Sequence, residues 1–249
     1  RCDTRTAYLA KAQVRKNLTV RPMTSVTEIL IHEGRATGVR SFSNGREQTI
    51  KVGCELIICA GAVNSPLLLQ APGIGDATQL ARLGIKCHLH SPGVGKNLQD
   101  HLQCQIAYES KIPITINDDY RRLHRLIGMV LRYALLRQGP IAGGPAPAGA
   151  FFNSAANAER PDSQIHFLPL SLSGPGVLDK GSGFTFNVNT CRPLSRGTVG
   201  FCGAKGHLRP SINANYLSET SDLEALVAAL RKTRDIAHTV SLEPFRGSE

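Results

Sequence analysis

Apolar and polar positions alternate along the first fifth of the chain. Val26–Ile31 alternates around Thr27 and Glu28 and runs into Glu33-Gly34, a turn signal. Val39–Phe42 leads to Asn44-Gly45, a pair that tolerates the positive φ of a tight hairpin, and Gln48–Val52 returns from it. These segments predict strands, as does the short apolar run Leu18–Val20. Leu56-Ile57-Ile58-Cys59 is apolar without alternation, the pattern of a strand buried on both faces of a parallel sheet.

That run ends in the small residues Ala60, Gly61 and Ala62. A helix is predicted from Asn64 or Ser65, with Pro66 at its first position, where a missing N–H costs nothing, and a stop at Pro72-Gly73. Strand, small-residue turn and helix N-terminus together admit a phosphate or nucleotide close to the backbone. A plain βα connection needs small residues for packing too, so the local pattern leaves both readings open. A short helix follows at Asp76–Leu83, capped by Asp76 and closed by Gly84. The loop Pro92–His101 is Gly-rich, but no G-x-G-x-x-G occurs: Thr78 follows Gly73 and Gly75, and Leu98 follows Gly93 and Gly95.

Beyond residue 102 the texture changes. Cys104–Tyr108, Gln164–Leu168, Phe184–Cys191 and Thr198–Cys202 predict strands. Leu123–Leu136 predicts a helix of 3.6 periodicity, with Arg121, Arg122, Arg125 and Arg132 elsewhere around it. Such a helix is expected to cover a sheet with its charges in water. The same pattern also serves on a membrane surface, for which the sequence offers nothing further. Residues 139–149 read as an irregular rim or lid, and Ser221-Asp-Leu-Glu224 as a capping box opening a last helix.

Composition narrows the function classes. With 41% apolar and 19% charged residues in 249, the chain is globular. Its net charge of +10 is spread along the chain without a nucleic-acid signature, so the basicity reads as a solvated surface and no nucleic-acid partner is expected. No apolar run is long enough for a span and no basic-then-apolar leader is visible, so the expected location is cytoplasmic. The seven cysteines include no C-x-x-C pair and read as small buried hydrophobes. Cys87, His88 and His90 lack a further ligand nearby, and no metal is expected.

Several ordered motifs resemble the glucose–methanol–choline (GMC) oxidoreductase family of FAD enzymes. Gly61, Ala62, Ser65, Pro66, Leu68, Leu69, Gly73, Ile74 and Gly75 follow its second signature, with Pro72 where Ser is usual. Pro92–His101, the opening Arg1–Leu9, Arg192–Gly197 and Pro210–Leu217 also resemble family segments, in the same order. The resemblance spans nearly the whole chain. It implies an α/β fold: part of a Rossmann-like FAD-binding domain over 1–100, an α+β substrate-binding domain with an antiparallel sheet over 101–210, and a return to the FAD-binding domain over 211–249.

The implied activity is FAD-dependent oxidation of an alcohol CH–OH group by hydride transfer to flavin. In the family the dinucleotide loop precedes anything equivalent to Arg1, and the catalytic histidine lies beyond anything equivalent to Glu249. The chain is therefore read as an internal fragment, not catalytic alone. The resemblance places Val26 at the adenine ring, Ala60 and Gly61 along the cofactor, and Asn97 and Asp100 in the loop beside the flavin. His101 and Gln103 are placed toward the substrate. Choline-oxidising relatives carry Glu where this chain has Gln103; a neutral amide cannot pair a buried quaternary cation, which points to uncharged alcohols. The alternatives are a choline dehydrogenase proper, or a nucleotide-binding or interaction module without chemistry. The electron acceptor is left unassigned.

Overall fold

The computed structural model describes residues 2–154, 159–203 and 207–249; Arg1, which opens the first family-like motif, lies outside them. A helical stretch, Arg5–Leu9, runs into α1 (Ala10–Ala12). Strands β1 (Ser25–His32), β2 (Arg35–Ser43) and β3 (Arg46–Lys51) are followed by α2 (Gly61–Gln70), β4 (Ile74–Gly75), α3 (Ala77–Arg82) and β5 (Leu89–His90). Next come β6 (Gln103–Glu109), α4 (Ile116–Arg121), α5 (Leu123–Leu136), β7 (Ala148–Phe152) and β8 (Ser163–Leu168). The rest is β9 (Leu172–Gly174), β10 (Val177–Leu178), β11 (Gly183–Thr190), β12 (Thr198–Cys202), β13 (Arg209–Asn213) and α6 (Thr220–Ala237).

Two compact units divide the described chain. One comprises residues 2–99 with 196–216, the other 100–195 with 217–249. These bounds differ at the C-terminal side from those read in the sequence. Residues 196–216 join the first unit, and α6 packs on the sheet of the second.

The first unit is built on the antiparallel meander β1-β2-β3. Its hairpins turn at Glu33-Gly34 and Asn44-Gly45, all four residues at positive φ, as two-residue hairpin turns require. Ile29 and Val39 are buried on the meander, and Leu67 on α2, Leu80 on α3 and Val199 on β12 are buried in the same unit. Gln70 Nε2 donates to the Val199 carbonyl at 3.1 Å, tying α2 to β12 across 129 residues of sequence.

In the second unit the antiparallel sheet runs β6-β11-β8-β7. One face carries Ile106, Tyr108, Ile165, Phe184, Phe186 and Val188, packed with Ala229 and Ala237 of α6. Tyr108, Phe167, Phe184 and Phe186 meet at centroid distances of 5.3–6.3 Å. Asn117 and Asp118 of α4 are buried and fully engaged: Asn117 bonds Ser171, while Asp118 accepts from Thr115 and Ser182.

Several expectations fail for physical reasons. Leu56–Cys59 joins no ladder among the described residues, and Ile57 is 74% exposed. No described strand runs beside it to receive its hydrogen bonds. Leu18–Val20 is irregular. Helix α2 begins at Gly61, several residues before the expected start, and holds Pro66 in its interior; its first turn is made by small residues that fit helix as readily as turn. The Ser221–Glu224 capping box does not form: α6 starts at Thr220 with Glu219 as its cap, and Asp222 instead accepts from the Leu194 and Ser195 amides. A capping box does form at Thr115 with Asp118. The rim loop gives way to strand β7 from Ala148. None of the cysteines is buried; all seven are free thiols, and Cys2, Cys54, Cys59 and Cys202 are exposed.

Candidate cofactor and substrate sites

A cleft of about 620 Å³ opens in the first unit between the meander, residues 56–60 and α2. Val26, Ile29 and Val39 line it from the strands, Leu56, Ile58 and Ala60 from the connecting run, and Leu67, Leu68 and Ala71 from α2. Its size lies within the roughly 300–1,000 Å³ typical of small-molecule sites. Beside Val26 the β1–β2 register skips Thr27, a bulge that frees the strand backbone at the cleft mouth. Gly61 follows Ala60 at φ +82°, and a Cβ placed there would meet nothing within 4 Å. The glycine is required by backbone conformation, and the space above it is open. The α2 N-terminus carries no side-chain cap, and the Ser65 hydroxyl accepts from the Ala60 amide at 3.2 Å. Val26 and Ala60 are thus brought together on one apolar cleft, with Gly61 next along the chain.

Asn97 lines a second, smaller cleft of about 460 Å³ with Ala62, Ser65 and Pro66. Its φ is +60°, a left-handed conformation that Asn tolerates better than most residues. The glycine before it has a packing role: a Cβ on Gly95 would lie 2.0 Å from the Val199 carbonyl oxygen.

In the second unit Asp100 and His101 are exposed. The Asp100 carboxylate accepts from the His101 amide at 2.9 Å, and His101 Nε2 lies 3.0 Å from the Cys191 carbonyl. A carbonyl only accepts, so Nε2 carries the proton and, in the neutral ring, Nδ1 is left as an acceptor. Partial burial pushes the half-buried Cys191 thiol up from its ordinary value, so it stays protonated.

Gln103 opens a surface that the sequence reading missed. On the sheet face opposite the aromatic core, Gln103 stands across from Asn189, and Asn189 from Gln164. One row along, Gln105 stands across from Asn187, and Asn187 from His166. Paired residues share a face, so five carboxamides and an imidazole tile these two rows. The Oδ1 atoms of Asn187 and Asn189 are buried with no hydrogen-bond partner among the described residues. Gln105 also lines a cleft of about 360 Å³ against Leu172–Pro175. The available signal was in the strands: Gln103-Cys-Gln-Ile, Gln164-Ile-His and Asn187-Val-Asn alternate apolar residues with amides rather than charges.

No cluster of three His, Cys, Asp or Glu that could hold a metal occurs among the described residues. His90 Nδ1 accepts from the Ala77 amide at 3.1 Å.

Similarity to known proteins points the same way as the sequence motifs. The family model for GMC oxidoreductases matches residues 1–103. An oxygen-dependent choline dehydrogenase of Photobacterium profundum is 36% identical over 252 residues, covering 100% of this chain and 44% of that protein. The chain matches the GMC oxidoreductase family. Two solved structures superpose on it: a pyridoxine 4-oxidase from Mesorbium loti, at 24% identity and TM-score 0.80 over 100% of this chain, and a formate oxidase of Aspergillus oryzae from a study of FAD modification, at 23% identity and TM-score 0.81 over 94%. The chain spans 45% and 47% of these two, so it corresponds to under half the length of each relative named. At those identities the structures establish the fold, a mixed α/β architecture of GMC type.

Proposed function

We propose that this chain is part of an FAD-dependent oxidoreductase that oxidises the CH–OH group of a small alcohol. The apolar cleft that Val26 and Ala60 line, with open space above Gly61 next along the chain, is the observation that carries the reading. An adenosine fits that cleft on three counts: apolar side walls, a strand backbone released by a bulge, and a helix N-terminus without a side-chain cap. Bound FAD would supply a hydride acceptor for the carbon that bears the hydroxyl. Val26, Ala60 and Gly61 would hold the cofactor's nucleotide end, and Asn97 and Asp100 would border it from the loop that leads into the second unit. His101 keeps Nε2–H on the Cys191 carbonyl and offers Nδ1 to a substrate hydroxyl. The stretch 1–100 is read as part of a cofactor-binding domain and the sheet of the second unit as substrate-binding.

The amide-tiled face favours a neutral substrate. Carboxamides donate and accept but bring no charge to a cation, and on β6 the next carboxylate on this face, Glu109, is about 13 Å beyond Gln105 and accepts from the Ser248 hydroxyl. A second reading, choline as the alcohol, is favoured by the 36% identity to a choline dehydrogenase. The decisive experiment on the cofactor is equilibrium dialysis of the purified chain against FAD and against FMN, which lacks the adenosine. Stronger retention of FAD supports the reading; equal retention of the two, or none, contradicts it.

A further inference from the structure

Two clefts of the second unit share a wall. In one, of about 360 Å³, Gln105 of the amide-tiled face meets Leu172–Pro175. The other, of about 400 Å³, is lined by Ile116, Tyr120, Met129, Ile141, Leu172 and Leu178, among others. Leu172 belongs to both. One buried side chain fixes that wall. Asn117, fully buried on α4, donates from Nδ2 to the Ser171 and Asp179 carbonyls at 2.9 and 3.2 Å. Its Oδ1 accepts from the Ser171 amide at 3.0 Å, so both legs of the β9–β10 hairpin are pinned to α4. Just before the hairpin, the Leu170 carbonyl accepts from the Thr185 hydroxyl at 2.9 Å. Thr185 stands two residues before Asn187 on β11, and so on the amide-tiled face. The hairpin thus rises from the polar face and backs onto the apolar cleft.

The sequence places α5 over a sheet, but among the described residues it packs mainly beside α4. Its buried residue, Met129, lines the apolar cleft. No described helix is long and apolar enough to cross a membrane, and α5 serves here as a wall. Ile141, within the rim read at residues 139–149, lines the cleft from another side. Tyr120 carries the one polar side chain among the described lining residues. A peptide segment seated there would bury N–H and C=O groups with few partners, which costs free energy; a hydrocarbon brings no such groups. The volume is that of a small-molecule site. A ligand that occupies both clefts at once is polar at one end and apolar at the other. An alcohol with a hydrocarbon tail has that form, its hydroxyl on the amides and its tail past Leu172.

We propose that the substrate alcohol carries an apolar tail, that the cleft beside Met129 holds this tail, and that Leu172 sets which tails pass. The proposal rests on the reading of the amide-tiled face as the substrate surface of an alcohol oxidoreductase. The chain's two methionines make the test simple, because isotope labelling of their methyl groups gives two signals. Met129 reports the cleft, and Met23, 88% exposed in the first unit, is the internal control. The full chain is titrated with 1-propanol, 1-pentanol and 1-heptanol while the Gln103 and Gln105 side-chain amides are followed alongside. The concentration that half-shifts Met129 should fall about fourfold per added methylene, with the amides moving at the same concentrations and Met23 still. Leu172→Trp, which narrows the passage, should weaken the 1-heptanol response of Met129 by at least about tenfold and leave the 1-propanol response of the amides unchanged. Leu172 is 38% exposed, so circular dichroism should show unchanged folding. Amides that respond while Met129 does not, or a response independent of tail length, overturn the tail site and leave the substrate face standing. Met129 responding without the amides also overturns it, since the cleft then binds apolar matter on its own. Silence at both removes the tail site and the substrate face together.

Discussion

Gln103 and Asn189 stand directly opposite each other on β6 and β11, and the Asn189 side chain is fully buried with its Oδ1 unpaired among the described residues. An unsatisfied buried acceptor costs about 1–3 kcal/mol, a cost that an incoming hydroxyl donor would relieve. Asn187, opposite Gln105, repeats the arrangement one row along. Two orphaned acceptors side by side on this face are the points at which a hydrogen-bond donor would relieve that cost.

A matched ligand pair reads that surface. The neutral isostere of choline, 3,3-dimethylbutan-1-ol, should perturb the side-chain amide signals of Gln103, Gln105, Asn187 and Asn189 at lower concentration than choline does. Gln103→Glu should move the preference toward choline by about fivefold, the worth of an exposed charge pair. Equal response to the two ligands in the unaltered chain would remove the neutral-substrate reading.

Gly95 should prove more sensitive than Gly34, although both sit at positive φ. A Cβ at Gly95 would press on the Val199 carbonyl and on Gln70 Nε2, whereas one at Gly34 would meet nothing within 4 Å. Gly95→Ala is expected to cost about 2–4 kcal/mol, from backbone strain and overpacking together, and Gly34→Ala about 1 kcal/mol. Urea denaturation of the two variants makes the comparison.

Acid stability should depend on Asp118. Burial alone would push its carboxyl up, but hydrogen bonds from Ser182 and Thr115, with the charge of Arg122, outweigh burial and hold it below the ordinary carboxylate range. A group lowered in the folded state contributes fully above the unfolded value, about 4, and its contribution is lost as pH falls through the folded value. Asp118→Asn should cost about 1–3 kcal/mol at neutral pH and flatten the loss of stability below pH about 4. Unfolding free energies of both proteins across that range provide the check.

Sequence pattern carried local structure far and long-range structure little. The Asn44-Gly45 turn, strand Thr198–Cys202 and helix Leu123–Leu136 follow from residue chemistry within a few positions, and their bounds agree with the structure. Leu56–Cys59 reads as a buried strand because its composition is right, but a ladder also needs neighbours, which composition cannot supply. For α5 the periodicity located the apolar stripe and not what the stripe faces. The amide face is the clearest case. Each Asn or Gln alone reads as a solvated strand position, and only the register of β6, β11 and β8 brings them together. Asp222 similarly reads as part of a cap, while its partners Leu194 and Ser195 lie 28 and 27 residues earlier, beyond the reach of any local rule.

The chain by itself should not turn over alcohols. It contains no G-x-G-x-x-G to grip a pyrophosphate, and the proposed nucleotide contacts reduce to Val26, Ala60 and Gly61. An assay with added FAD, an alcohol panel and an artificial electron acceptor should show no rate above the protein-free control. A rate above that control would mean that the residues present suffice.

The most direct measurement is amide NMR of the chain titrated with ADP, which carries the adenosine and pyrophosphate of FAD without its flavin. The account predicts shifts concentrated at Val26, Thr27 and Ala60, on the cleft between the meander and α2, and at the adjoining Gly61. Shifts confined to residues outside that cleft, or none at all, would contradict it.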